Sequence, residues 1–177
     1  MDADEWKKQA LAHYRAGAYA PAIETFVAAG AAYTQAGDRI AAAEMLNNQG
    51  VAHRMLRQWD RAEAAFLQAR RQFEALNETS HQAQATANLG MLALARGQAR
   101  QAITSLQEAI ALFQTTDDPQ RESEARRALS LAHFKQRHLL DALAAYSAAL
   151  DCAPHLTLGQ RFLRWLLALP ARLLGGR

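Results

Sequence analysis

Six histidines, one cysteine and a few paired acids are the side chains of this 177-residue chain that could carry metal, proton or nucleophilic chemistry. His13, His53 and His133 are separated by multiples of 40 residues. If 40 residues make one structural unit, neighbouring copies of that column sit about 10 Å apart, the usual interhelical spacing. That is too far to share a metal, so packing is their expected role. His81, His138 and His155 have no companion at ligand spacing, and no metal site is expected. Cys152 stands alone, which rules out an intramolecular disulfide and a cysteine-built zinc site, and no convincing base lies near it in sequence to make it a nucleophile. Asp117 and Asp118 precede Pro119, an arrangement suited to a helix start, where acids complement the dipole. There is no glycine-rich phosphate loop, no HExxH and no GxSxG. An enzyme is therefore the least expected class, and no cofactor is expected.

The elements that carry these residues follow from composition and period. Half of the chain is apolar, enough for a core of ordinary size. Alanine dominates, whereas valine and isoleucine together supply only six positions. Such a balance favours helix and starves a sheet of β-branched residues. Alanine recurs at Ala22, Ala62, Ala102 and Ala142, followed four places on by Phe26, Phe66, Leu106 and Tyr146, and then by Ala29, Ala69, Ala109 and Ala149. Upstream, Ala10, Gly50, Gly90 and Ser130 hold a small residue in phase, each followed by an apolar one. Spacings of four and three put each series on one helix face, so each copy reads as two helices whose small residues let the backbones approach. Gly17 and Gly97 suit the turn inside copies one and three, whereas Arg57 and Arg137 stand there in copies two and four. Between copies, Gly37-Asp38, the stretch from Asn77 to Ser80, and Asp117-Asp118-Pro119 offer caps.

This pattern resembles the tetratricopeptide repeat, in its longer variety of about forty residues known from kinesin light chain and LGN-like adaptors. Trp6, Ala10, Gly17, Tyr19, Ala22, Phe26 and Ala29 carry the resemblance in copy one, and Asn88-Leu89-Gly90, Gly97, Ala102, Leu106 and Ala109 in copy three. Pro154 stands where that family often closes a repeat. Thr86 and Arg126 depart from it, replacing the large residue near the start of the first helix. The resemblance implies an all-α, right-handed α-solenoid of four helical hairpins over residues 3–154, in repeats of about 3–37, 38–78, 79–117 and 118–154; beyond it, the pattern of arginines and apolar residues predicts a C-terminal amphipathic basic helix over 156–177.

The same resemblance implies a concave wall, built from the first helix of each hairpin, that holds a protein or peptide. Projected onto this chain, the wall presents Lys7, Asn47, Ala87 and Arg127 in one row and Lys8, Asn48, Asn88 and Ala128 in the next. Leu11, Val51, Met91 and Leu131 follow, then Tyr14, Arg54, Leu94 and Phe134. Asn48 and Asn88 are the foremost candidates, because an amide both donates and accepts and can pair with an extended peptide backbone irrespective of its sequence. The alternative for asparagine in that column is to bridge neighbouring helices. The five-residue carboxylate clamp of chaperone-binding relatives is matched only by Lys7 and Asn48, while Leu11, Gln84 and Asn88 miss it. A partly apolar groove including Met91 is expected instead, with Leu94 and Phe134 assignable either to it or to the core.

Charge is uneven along the chain. The formal net charge is +3 and the pI about 9.3, but residues after 151 hold four arginines and no acid. The remaining body is close to neutral, so a nucleic-acid surface is not expected. The first residues are acidic with no long apolar run behind them, and a cytoplasmic protein is the default expectation. In the tail, Arg161, Arg164 and Arg172 share one arc of a helix whose remainder is apolar, including Phe162 and Trp165. Pro170 should kink or end that helix. Three readings fit it: a solenoid cap, a peripheral anchor at the inner membrane surface, or a helix that binds a partner or a second copy. The expected function is a non-catalytic interaction scaffold, with a membrane-surface tether or a chaperone or assembly factor shielding a client segment as the alternatives; the sequence names neither ligand nor oligomeric state.

Overall fold

The computed structural model describes the backbone of residues 2–174 and side-chain surroundings as far as residue 167. Among the described residues there are nine helices and no strand: α1 (Ala3–Arg15), α2 (Tyr19–Gln35), α3 (Arg39–Met55), α4 (Trp59–Ala75), α5 (Thr79–Ala95), α6 (Ala99–Thr115), α7 (Pro119–Lys135), α8 (Leu139–Cys152) and α9 (Leu158–Leu174). Each helix packs against the next in sequence, and α5 also meets α3 and α7. The result is the expected all-α solenoid of four stacked hairpins.

The turns repeat twice as often as the side-chain pattern. Gly17, Gly37, Arg57, Asn77, Gly97, Asp117 and Arg137, twenty residues apart, all have positive φ. After each one, the next residue donates its N–H to the carbonyl five positions back, from Ala18 to His13 at 2.9 Å through to His138 and His133 at 3.0 Å. This is the Schellman closure of a helix C-terminus. Arg57 and Arg137 adopt the same left-handed conformation as the glycines, with φ of 58° and 62°. The conformation costs a non-glycine residue about 1–2 kcal/mol, which the stacking of the helices on either side outweighs. Asn77 takes this turn role too, so the cap expected between Asn77 and Ser80 is absent: Glu78 occupies the N-cap of α5 without a side-chain bond. Asp38 and Asp118 do cap their helices, accepting from the N–H groups of Ala41 at 2.9 Å and Arg121 at 3.0 Å. Asp2 and Glu5 form a reciprocal capping box at the start of α1.

Side-chain size sets the approach of the two helices in a hairpin. Phe26, Phe66 and Leu106 are fully buried, flanked by the buried alanine columns. A Cβ placed on Gly50 would lie 2.6 Å from the Phe66 ring, and one on Gly90 would lie 2.7 Å from Leu106 Cγ. Glycine is therefore required at these two positions by contact rather than by φ. In copy four the column holds Ser130, whose hydroxyl donates to the Ala142 carbonyl at 2.7 Å. Thr86, a departure from the family pattern, is fully buried and donates to the Gln82 carbonyl at 2.9 Å. Arg126, the other departure, pairs with Glu122 one turn earlier.

The repeat breaks after α8. Ala153 is extended, and Pro154, which has no N–H to give, replaces the three-residue turn with an irregular link of five residues. Residues 158–174 still fall where the period would place a fifth first helix, but α9 meets only α8 to any extent. It leaves Phe134, Leu139 and Leu143 at least half exposed. Of the kink or end expected at Pro170, the end is not found: α9 runs to Leu174.

Candidate functional site

The wall expected to face inward comprises α1, α3, α5 and α7, and its side chains pair across hairpins more than the sequence implies. Lys7 on α1 reaches Glu44 on α3 at 3.0 Å. Glu44 also meets His81 Nε2 on α5 at 3.0 Å, while His81 Nδ1 lies 3.3 Å from Glu78. Lys7 is thus tied to an acid of the next copy. These side chains are about a third exposed, so the network orients the wall more than it stabilises the fold.

Asn47 and Asn88, forty-one residues apart, meet directly: the Asn88 amide donates to Asn47 Oδ1 at 3.0 Å, and both are buried. This pair bridges α3 and α5, the alternative weighed for asparagine in that column. Asn88 keeps an edge on a second cleft. Asn48, half-buried, borders a cleft of about 180 Å³ with Glu44, His81, Gln84 and Arg121. Gln84 and Arg121 continue into a neighbouring cleft of about 120 Å³, shared by Asn88, Met91, Ala87 and Glu124. Asn48, Asn88 and Met91 therefore lie along two adjoining depressions.

Arg127 lines a third and more open depression between α7 and α8, whose other walls include Leu131, Phe134, Leu139 and Leu143. Its Nε is buried and makes no hydrogen bond, as is that of Arg54 in the last turn of α3. The ambiguity over the fourth row resolves by position. Leu94 is buried under the following hairpin, while Phe134, its counterpart in copy four, is 61% exposed because α9 does not pack over it. The apolar depression at Arg127 therefore lies on the uncovered face of copy four, where copy three is packed against its neighbour.

In the tail, Arg161, Phe162, Arg164 and Trp165 are all exposed, and the Phe162 and Trp165 rings stack at 5.8 Å. Arg172 has its side chain outside the described residues. Among the described residues, no helix is long and apolar enough to cross a membrane.

Cys152 is half-buried, and burial followed by the nearby Glu122 charge pushes its thiol above the ordinary range. That is the opposite of an activated nucleophile. His133 and His138, which the sequence reading places apart from any ligand partner, are brought beside Asp141 by the α7–α8 turn. The H-x4-H-x2-D spacing was visible, but only the turn makes it a cluster.

Residues 87–156 match the tetratricopeptide repeat family. That stretch of the chain carries tetratricopeptide repeats. Solved structures share its fold: BtubC (BKLC) from P. vanneervenii is 22% identical with a TM-score of 0.74, over 85% of this chain and 62% of that one. Aspartyl phosphate phosphatase F from Bacillus subtilis is 18% identical with a TM-score of 0.80, over 85% of this chain and 39% of that one. The apo form of RapI is 11% identical with a TM-score of 0.73, over 94% and 48%. The chain thus spans between about two fifths and three fifths of the length of those proteins. No curated protein matches its sequence.

Proposed function

We propose that this repeat protein is a non-catalytic scaffold that holds an extended peptide or protein segment along its inner wall. The observation that carries the reading is the continuity of the wall. A polar cleft bordered by Asn48 adjoins a mostly apolar one bordered by Asn88 and Met91, the two sharing Gln84 and Arg121. An extended segment would lay its backbone against the Asn48 amide and its apolar side chains toward Met91, a division of labour common to peptide grooves. Asn47 and Lys7 serve the groove indirectly, by holding α3 against α5 and α1. The raised thiol pKa of Cys152 favours a non-catalytic role.

Selection from a random peptide library on the immobilised chain tests this. Binders should lose affinity to Asn48→Ala and Met91→Glu variants that unfold like the parent. Selected peptides that bind both variants as tightly as the parent would place the ligand elsewhere.

The exposed apolar residues of α9 favour a second role. Leu158 is 83% and Phe162 63% exposed, beside the exposed Arg161 and Arg164. Such a helix suits the boundary of an anionic bilayer. Co-flotation with anionic vesicles, lost on Phe162→Glu with Trp165→Glu, is the expected result; no flotation of the parent chain rejects it.

A further inference from the structure

The turn between α7 and α8 gathers three potential ligands that the groove does not use. One nitrogen of each ring of His133 and His138 and one oxygen of Asp141 lie within 4.8 Å of one another. Both Nδ1 atoms face the same oxygen, Asp141 Oδ2, at 4.0 Å from His133 and 3.8 Å from His138. The two rings are tilted by 35° with centroids 6.2 Å apart.

The backbone of the turn produces this arrangement. The His138 N–H donates to the His133 carbonyl at 3.0 Å, which brings residues five apart to one side of the turn. The corresponding residues of copy two, His53 and Gln58, are close enough for Nδ1 and Oε1 to hydrogen-bond at 2.6 Å. In copy four a second imidazole stands where that glutamine was, and no such bond forms: His133 Nδ1 is buried and unpartnered. A buried polar atom without a partner is costly. Asp141, on the first turn of α8, supplies the negative charge that offsets the positive end of that helix dipole.

We propose that His133, His138 and Asp141 form a binding site for a divalent transition cation of the zinc type. Two imidazoles and a carboxylate suit zinc or nickel, whereas calcium and magnesium take oxygen sets. Ligand atoms around tetrahedral zinc stand about 3.3 Å apart. Small rotations about the side-chain bonds of the exposed His138 and Asp141 close the present spacing to that value. With three protein ligands, the remaining position is left to water, as in open zinc sites. A bound ion would join the last turn of α7 to the first turn of α8 and so brace the fourth hairpin of the array.

Calorimetric titration of the untagged full chain with zinc chloride tests the proposal. One saturable ion per chain is expected, with a zinc-dependent rise in the unfolding temperature. His138→Gln recreates the copy-two pair and should fold normally, and Asp141→Asn changes an exposed side chain. Each should weaken zinc binding by about 10- to 100-fold, at least the effect of losing an outer-shell partner, and abolish the thermal shift. His81→Gln, which lies outside the cluster, should bind zinc like the parent. Absence of saturable binding in the parent, undiminished binding in both cluster variants, or loss of binding in His81→Gln would each overturn the assignment.

Discussion

Replacing Gly90 and Gly30 by alanine should shift stability in opposite directions, although both glycines lie inside helices. Alanine is favoured over glycine in a helix by about 1 kcal/mol. At Gly30 the new Cβ meets Met45 Cβ at 3.5 Å and the Ala42 carbonyl at 3.9 Å, both ordinary contacts. The propensity gain should therefore appear almost whole, as about 1 kcal/mol of added stability. At Gly90 the new Cβ falls 2.7 Å from Leu106 Cγ and 3.3 Å from the Ala102 carbonyl. The first is about 0.8 Å inside a normal carbon–carbon contact, and Leu106 is fully buried and cannot swing aside. Overpacking of this kind costs about 1–3 kcal/mol; less the propensity gain, a net loss of about 1 kcal/mol follows. Copy one limits the upper end, since it accommodates Ala10 in the same column opposite Phe26. Urea unfolding followed by far-ultraviolet circular dichroism reads both variants, which should differ by about 2 kcal/mol with similar slopes. Adding Leu106→Ala to Gly90→Ala should destabilise by less than the sum of the two single changes, because the first makes room for the second. A Gly90→Ala protein as stable as the parent would refute the claim that close helix approach sets this column.

Other substitutions probe the wall and the turns. Asn88→Ala leaves Asn47 buried without its partner and should cost about 1–3 kcal/mol in unfolding free energy, whereas Asn48→Ala should unfold like the parent and act only on ligand affinity. Arg137→Gly relieves a left-handed arginine and should raise stability by about 1 kcal/mol, seen as a higher urea midpoint. Asp118 has its carboxyl pKa lowered: burial raises it, but the Arg121 N–H and guanidinium outweigh that effect. Its contribution is therefore present above the unfolded-state value of about 3.9 and is lost as pH falls through the lower folded value. Asp118→Ala should cost about 1 kcal/mol at neutral pH, with the gap to the parent narrowing below about pH 4 in unfolding measured across a pH series.

The side-chain columns were legible because they are written twice over, in size and in spacing. Ala62, Phe66 and Ala69 imply one buried face by their positions alone, and the facing Gly50 implies close approach. The turns were legible only in part. Glycine advertises a left-handed residue, but Arg57 and Arg137 adopt that conformation with no local preference for it, so the twenty-residue backbone period stays hidden beneath a forty-residue side-chain period. Pro154 signalled the end of the regular array without indicating that α9 would leave the face of Phe134, Leu139 and Leu143 open.

Local rules thus determined the helices, their pairing and the repeating core, since helix propensity and the three-and-four spacing of apolar residues act over a few neighbouring positions. The partnerships of the wall were decided only on stacking. Asn47 meets Asn88, and Lys7 and His81 meet Glu44, because successive hairpins place residues about forty positions apart side by side. The His133, His138 and Asp141 cluster needed less, a single turn, but its geometry depends on a left-handed arginine that the packed hairpin imposes. Long-range contact energy selects such conformations, and sequence spacing does not record it.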